Sequence, residues 1–312
     1  MAACPICSTS LPAARIASPD RGNATPGRFK VAVCRECGAG VTLPPASPTD
    51  LAAFYPPGYG PHTQLDRPIV ALISRAIRWW QGNRSRRRSP LVALRDRPPG
   101  RGLDVGAGRG DSAAMLTARG WRMTAIEPSG AAAGHIRARG LDAREGVLST
   151  VELESAEYDF ALFEHSLEHT IDPVADLQRV HGALKPGALV LVSVPNFGSW
   201  QRRVFRGAWY HLDLPRHRVH FAGPALERAL RTAGFEDVVL ARSSSTVGLP
   251  ASLQYLVAGR CLFPDGIGLR IATGLCALDL PLVVALDRLL GEGDTLHAVA
   301  RRPATAGPPA VS

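Results

Sequence analysis

The chain has 312 residues, 46% of them hydrophobic and 6% aromatic, which is enough for one substantial, mainly aliphatic core and a small second module. Its formal charge of +9 would argue for a nucleic-acid partner only if it coated the whole molecule; instead residues 1–95 hold the entire excess and residues 96–312 balance to zero. Only Lys30 and Lys185 among the 36 basic residues are lysine, a bias toward arginine that fits genome coding better than selection for phosphate contacts, so nucleic acid is set aside as the main partner.

Residues 1–10 lack a basic start followed by an apolar run, and a proline and two cysteines stand where a signal peptide needs its hydrophobic stretch. A cytoplasmic, reducing location follows as the expectation, and there cysteines serve as metal ligands or buried thiols rather than disulfides. Residues 1–46 pair Cys4-Pro5-Ile6-Cys7 with Cys34-Arg35-Glu36-Cys37-Gly38. Each short turn offers two thiolates, and four thiolates suit tetrahedral Zn²⁺ in a closed, structural site. The segment has too little apolar content to fold unaided.

Residues 47–95 read as a linker followed by a basic amphipathic helix. Phe54 to Pro61 is too rich in proline and glycine for regular helix. Pro68 to Gln81 places Ile69, Leu72, Ile73, Ala76 and Ile77 along one side, with Trp79-Trp80 near the end and the cluster Arg84 to Arg88 beyond. Packing on the main domain is the default, and a peripheral contact with an anionic membrane is the sharper alternative.

From Gly102 onward strands and helices alternate, the pattern of a parallel sheet flanked by helices. Strands are expected at Gly102–Val105, Arg122–Ile126, Asp142–Glu145, Tyr158–Phe163, Ala188–Val194, Glu236–Leu240 and Thr295–Ala300. Helices are expected at Asp111–Arg119, Ala131–Arg139, Pro173–Leu184 and Pro224–Ala233, with Gly120, Gly140 and Gly234 as caps. Residues 242–293 form an insertion before the last strand. Its apolar run Leu269 to Leu290 is broken by Asp279, Pro281 and Asp287, which suits a helix pair better than a membrane span. Cys261 and Cys276 are expected there as buried small hydrophobes.

The decisive segment is Leu103-Asp104-Val105-Gly106-Ala107-Gly108-Arg109-Gly110, where the first strand of the sheet meets the first helix. Glycines let the backbone turn sharply and approach a ligand, and the helix start offers free N–H groups. A nicotinamide-binding turn would have its third glycine at position 111, which is Asp111. Asp104 would repel a pyrophosphate but suits a ligand with an ammonium group and a sulfonium centre. Glu127, about twenty residues on, ends the second strand where a carboxylate can accept from both hydroxyls of a ribose.

With these residues the chain resembles the class I S-adenosylmethionine-dependent methyltransferases, especially the branch of ubiquinone-biosynthesis O-methyltransferases and of natural-product and polysaccharide clusters. Further landmarks are Phe163 to His169 with Asp172-Pro173, then Leu184-Lys185-Pro186-Gly187, Pro195-Asn196, and Trp209 to His217 with Phe221. The resemblance implies a doubly wound, Rossmann-like seven-stranded domain over residues 96–303, with a zinc-ribbon-like N-terminal module and a tail at 304–312. It implies that Asp104, Gly106, Ala107 and Gly108 hold the methionine moiety of S-adenosylmethionine and that Glu127 with Pro128 holds the ribose. Gly146, Val147 and Leu148 would border the adenine, where relatives often carry a polar residue.

The end of the fourth strand delivers Glu164, His165, Glu168 and His169 to the ligand edge of such a sheet. If the acceptor is a hydroxyl a base is needed; His165 is the first choice and His217 the second. In some relatives residues at the positions of His165, Glu168 and His169 bind a divalent cation, and a capping or structural role for His169 weighs equally. Trp209, Tyr210 and Arg216 are assigned to acceptor binding. Phe163-Glu164-His165-Ser166 replaces the Asn/Asp-Pro-Pro-Tyr motif that grips base amines, which points to an oxygen or carbon of a small-molecule, sugar or lipid-linked acceptor. An RNA methyltransferase and a non-catalytic scaffold are the alternatives.

Overall fold

The computed structural model describes residues 2–22, 25–45, 54, 89–245, 247–260, 280–290 and 293–304. In chain order its strands are β1 (Ile16–Ser18), β2 (Phe29–Val33), β3 (Gly40–Leu43), β4 (Arg101–Val105), β5 (Arg122–Glu127), β6 (Asp142–Glu145), β7 (Tyr158–Glu164), β8 (Leu184–Pro195), β9 (Val219–His220), β10 (Glu236–Ser243) and β11 (Thr295–Arg301). The helices are α1 (Asp111–Thr117), α2 (Gly130–Ala138), α3 (Pro173–Ala183), α4 (Trp200–Phe205), α5 (Gly223–Thr232), α6 (Gly248–Ala258) and α7 (Leu280–Leu290). They divide into two compact units. The sheet unit comprises Pro90–Val194, Leu226–Leu240 and the chain from His297, and the cysteine unit comprises the chain up to Ser89, Pro195–Ala225 and Ala241–Leu296.

The seven-stranded sheet has the order β10-β11-β8-β7-β4-β5-β6, and β4 pairs in parallel with both β5 and β7, β5 with β6, and β7 with β8. Strands covered on both faces lose the polar alternation of a half-exposed sheet, and Phe160 to Phe163 and Val190 to Val192 are accordingly buried without a break. Trp121 meets Phe160 edge-on at 4.8 Å, in a cluster with Leu94, Leu116, Met123, Leu162, Leu189 and Leu191. The helices start and stop where local chemistry dictates. Ser129 accepts the Ala132 N–H at the start of α2, Asp172 accepts from Ala175 ahead of Pro173 in α3, and Gly120, Gly140 and Gly234 adopt positive φ after α1, α2 and α5.

β8 starts at Leu184, four residues before the expected Ala188. Pro186 disfavours helical backbone at the residue before it, so α3 ends at Ala183 and the chain extends at once, Leu184 pairing with Tyr158.

The cysteine unit is built on an antiparallel sheet of order β1-β2-β3-β9. Its fourth strand, Val219–His220, lies outside the expected 1–46 module. Three strands of three to five residues cannot bury a core of their own, and Phe29 and Val31 instead pack with Phe197, Phe205, Trp209, Leu212 and Leu214. The expected insertion begins with β10 continuing to Ser243 and contains α6 and α7.

The helix expected at 68–81, the cluster Arg84 to Arg88, residues 55–61, Cys261, Cys276 and the tail beyond residue 304 lie outside the described residues. Among the described residues no helix is long and apolar enough to cross a membrane.

Candidate functional site

The glycine bend after β4 is folded against the end of β5. Gly106 and Ala107 both donate to the Ile126 carbonyl, at 2.8 and 3.1 Å. Gly108 N–H donates to Glu127 Oε2 at 2.7 Å, and Ser129 N–H donates to Oε1 at 2.9 Å. Gly106, with φ of 70°, admits no side chain, because a Cβ would come within 2.5 Å of Ser166 Cβ. Ser166 is itself tied to the Val105 carbonyl at 2.6 Å. Gly108 also has positive φ, 55°, but open space where its Cβ would be, so the bend leaves room beside it for a ligand.

Three carboxylates stand at the carboxyl ends of three adjacent strands: Asp104 in β4, Glu127 ending β5 and Glu164 ending β7. Asp104 is buried and its Oδ2 has no hydrogen-bond partner among the described residues. Burial, then the negative charges of Glu164 and Glu127, push its pKa up to about 8. Burial also raises Glu127, against the hydrogen bonds from Ser129 and Gly108. Glu164 accepts a short hydrogen bond from Ser112 in α1. A site that concentrates negative charge and leaves a buried carboxylate oxygen unpaired is arranged for a cation. It is hostile to phosphate.

The sequence also assigns Pro128, which is exposed beside Glu127, and Ala107, half-buried in the bend. After β6, Val147 is 46% exposed while Leu148 is buried, and Thr150 Oγ1 accepts from Val147 N–H at 3.2 Å. An apolar edge beyond Glu127 can border a planar group, but neither side chain can hydrogen-bond to it.

At the end of β7, His165 has φ of 54°, a strained conformation for a residue with a side chain. Its N–H donates to the Ser193 carbonyl of β8 at 2.8 Å, and its Nδ1 stands 3.6 Å from Oε1 of the buried Glu168. Of the expected cation set, Glu168 and His169 bring ligand atoms within 4.8 Å of each other, and His165 does not join that group. The turn Leu167–His169 is 3₁₀, in which residues three apart eclipse, and His165 and Glu168 accordingly meet. Sequence reasoning missed His297. It is buried on β11, its Nδ1 2.9 Å from Ser193 Oγ, and burial with the nearby His165 lowers its pKa to about 4. A lone histidine in an alternating strand carries no signal of this.

In the cysteine unit the four Sγ atoms of Cys4, Cys7, Cys34 and Cys37 lie within 4.8 Å of one another, with Cys4–Cys37 at 3.6 Å and Cys7–Cys34 at 3.5 Å. Disulfide bonding would bring sulfurs to about 2.05 Å. Ligands of one tetrahedral Zn²⁺, at about 2.3 Å from the metal, stand about 3.8 Å apart. The two knuckles share one backbone pattern: Ser8 N–H donates to the Cys4 carbonyl and Cys4 N–H to that of Thr9, as Gly38 does to Cys34 and Cys34 to Ala39. Ser8 and Gly38 both have positive φ, 59° and 77°.

Trp209 and Arg216, expected at the acceptor, belong to the interior of this unit instead. Trp209 is 1% exposed. The Arg216 side chain is fully buried and binds Asp20 through two bonds of 2.8 Å, with Asp213 on its other edge. A buried guanidinium is tolerated when its donors are met, and these carboxylates meet them together with the Phe54 carbonyl, 3.4 Å from Nη1. Tyr210 is half-buried, its ring against that of Tyr255. His217 is buried too, Nδ1 at 2.9 Å from the His211 carbonyl and Nε2 at 3.8 Å from Asp213.

A family model described as a methyltransferase domain matches residues 77–240. A Mycolicibacterium smegmatis protein described as a probable S-adenosylmethionine-dependent methyltransferase is 30% identical over 136 residues, 43% of this chain and 51% of that protein; the match thus spans about half the length of the relative. Among solved structures, a Thermotoga maritima methyltransferase described as a possible histamine N-methyltransferase is 20% identical, with a TM-score of 0.47, covering 75% of this chain and 97% of that one. A SAM-dependent methyltransferase from Archaeoglobus fulgidus is 17% identical, with a TM-score of 0.47, covering 72% and 94%.

Proposed function

The chain belongs to the methyltransferase domain family, and from that footing we propose that it transfers a methyl group from S-adenosylmethionine to an oxygen or carbon of a small-molecule, sugar or lipid-linked acceptor. The observation that carries this reading is the set of carboxylates around the glycine bend, with the orphaned oxygen of Asp104 at its centre. The donor is cationic at both sulfonium and ammonium, so these acids attract it where a phosphate would be repelled. Asp104 takes the ammonium end, and Gly106, Ala107 and Gly108 give it close backbone approach. Glu127, held open toward the bend by Gly108 and Ser129, accepts from the ribose hydroxyls, with Pro128 beside it. Val147 and Leu148 border the adenine, and Glu164 adds negative potential.

Methyl transfer is an in-line displacement, so holding the acceptor aligned in a dry site supplies much of the rate. His165, steadied by Glu168, lies at the strand end where the acceptor is expected, and its strained backbone is the kind of feature found at reacting centres. The four cysteines hold a structural Zn²⁺ that braces the short strands of their unit. The sulfur spacing fits four-fold thiolate ligation and leaves no open position for chemistry.

Calorimetry with S-adenosylmethionine tests the reading. Wild type is expected to bind and Glu127→Ala to lose most of the affinity; no binding by wild type overturns it. Radiolabelled donor incubated with fractionated cell extract then identifies the acceptor class.

A further inference from the structure

Helix α6 of the cysteine unit carries its apolar side outward. It holds no charged residue, and what it buries is small or polar: Gly248, Ala251, Ser252 and Tyr255. Leu253, Leu256 and Val257, spaced three and four residues apart and therefore on one side of the helix, are 47%, 61% and 86% exposed. A surface helix normally turns such residues to the core and its polar side to water.

The inner side is held in place by bonds from within the same unit. Tyr210 N–H donates to Ser252 Oγ at 2.9 Å, and the Tyr255 ring lies 5.8 Å from that of Tyr210. Arg21 closes the helix end, its Nη1 donating to the carbonyls of Tyr255 and Gly259 at 3.3 and 2.7 Å, and Gly259 stops the helix at φ of 72°. The outer leucines and valine cannot turn inward without breaking these contacts.

The charges that accompany this face all have one sign. α6 packs against α4 and the turn Arg206–Ala208, where Val204 is 62% exposed and Arg203 and Arg206 are exposed as well. Arg260 is exposed two residues beyond α6, and α7 exposes Arg288 with Leu289 and Leu290. The single acidic residue in α4, α6 and α7 is Asp287, and its carboxylate is engaged by Trp200 Nε1 at 2.6 Å and by Ser244 Oγ. A second copy docked about a two-fold axis would bring arginine against arginine. A bilayer containing anionic lipids offers an apolar layer beneath a negative surface, which matches leucine and valine beside arginine.

We propose that the outer face of α6, together with Val204, Arg203, Arg206 and Arg260, is a docking surface for an anionic lipid bilayer. Leu253, Leu256 and Val257 enter the boundary of the acyl chains, and the guanidinium groups stay at the level of the headgroup phosphates. The proposal does not rest on the transfer reading, because vesicle binding is measured without donor or acceptor. A protein held at a bilayer shares that surface with the lipid-linked class of acceptor.

Sedimentation of the zinc-loaded full chain with phosphatidylcholine vesicles containing about 30% phosphatidylserine, and with phosphatidylcholine alone, tests it. Wild type is expected to bind the anionic vesicles at least about tenfold more tightly than the neutral ones, and less tightly as salt rises. Leu256→Ser combined with Val257→Ser is expected to weaken that binding at least about tenfold, and Arg260→Gln about fivefold. Melting temperatures should not change, because all three side chains are exposed. Failure of wild type to bind anionic vesicles overturns the proposal, as does equal affinity for neutral ones. Binding that the α6 substitutions and Arg260→Gln leave unchanged also overturns it and assigns the contact to another basic segment, such as Arg84 to Arg88. A wild-type dimer that the double substitution splits into monomers, with no vesicle binding, gives the face to a second copy instead.

Discussion

The two units solve the same problem, placing polar groups inside a folded chain, in opposite ways. In the sheet unit the important side chains sit at the ends of neighbouring parallel strands, so each arrives with its own short motif and its place follows from strand order. In the cysteine unit Asp20 reaches Arg216 across 195 intervening positions, and Asp294 reaches His211 across 82. There, nothing in either motif names the partner. Functional groups can thus be carried by local sequence where the architecture is regular, and only by folding where it is not.

Metal removal should separate the units most sharply. Structural zinc in small domains contributes on the order of 10 kcal/mol, so chelation, or Cys34→Ser, is expected to abolish the β1-β2-β3 sheet in hydrogen exchange and to release one zinc per chain by metal analysis. Donor affinity should survive; its loss would show that the units fold as one. Next, Asp20→Ala leaves one edge of the buried Arg216 guanidinium without its carboxylate while Asp213 holds the other, and should cost about 3 kcal/mol by denaturant unfolding. A cost under 1 kcal/mol would mean that the guanidinium finds water or another acceptor.

In the sheet unit the expected effects are smaller and fall on binding. Glu127→Ala removes two charge-assisted hydrogen bonds to the ribose, about 1.5–3 kcal/mol each at most, and should weaken the donor roughly 100-fold, with some loss of melting temperature because the Gly108 and Ser129 N–H groups lose their acceptor. The subtlest effect is on pH. Asp104 has its pKa near 8 in the free protein and must be ionised to hold an ammonium, so binding below pH 8 drives a proton off. Affinity should fall up to about tenfold per pH unit on acidification, with proton release visible as a buffer-dependent heat, and Asp104→Asn should remove both. The same elevation means that the free protein holds more protons than the unfolded chain between the ordinary aspartate value of 3.8 and about 8. Its stability should therefore decline as pH rises through that window, and bound donor should reverse the trend.

The seven strands, their flanking helices and the pairing of the Gly106–Gly108 bend with Glu127 were legible because each rests on contiguous residues: apolar runs, Ser and Asp caps, glycines at positive φ. The cysteine spacing was legible for the same reason. The return of Val219–His220 to β3 was not, since a two-residue strand has no pattern of its own. Arg216 and Trp209 were misassigned because a charged or amphipathic side chain reads as surface until a distant partner is known. His297 gave no signal at all, and His211 lay inside the Trp209 to His217 landmark without being singled out.

From the order of its residues alone this chain determines a parallel sheet, a sharp bend beside a carboxylate, and two cysteine knuckles, because hydrophobic period, capping and glycine backbone freedom act over a few residues. Only the tertiary structure decides that Asp104 has an oxygen unpaired among the described residues, that Arg216 is locked inside and that Asp294 meets His211. Those outcomes depend on burial and on charged groups brought together from separate segments. Both are properties of a three-dimensional neighbourhood that no local stretch of sequence contains.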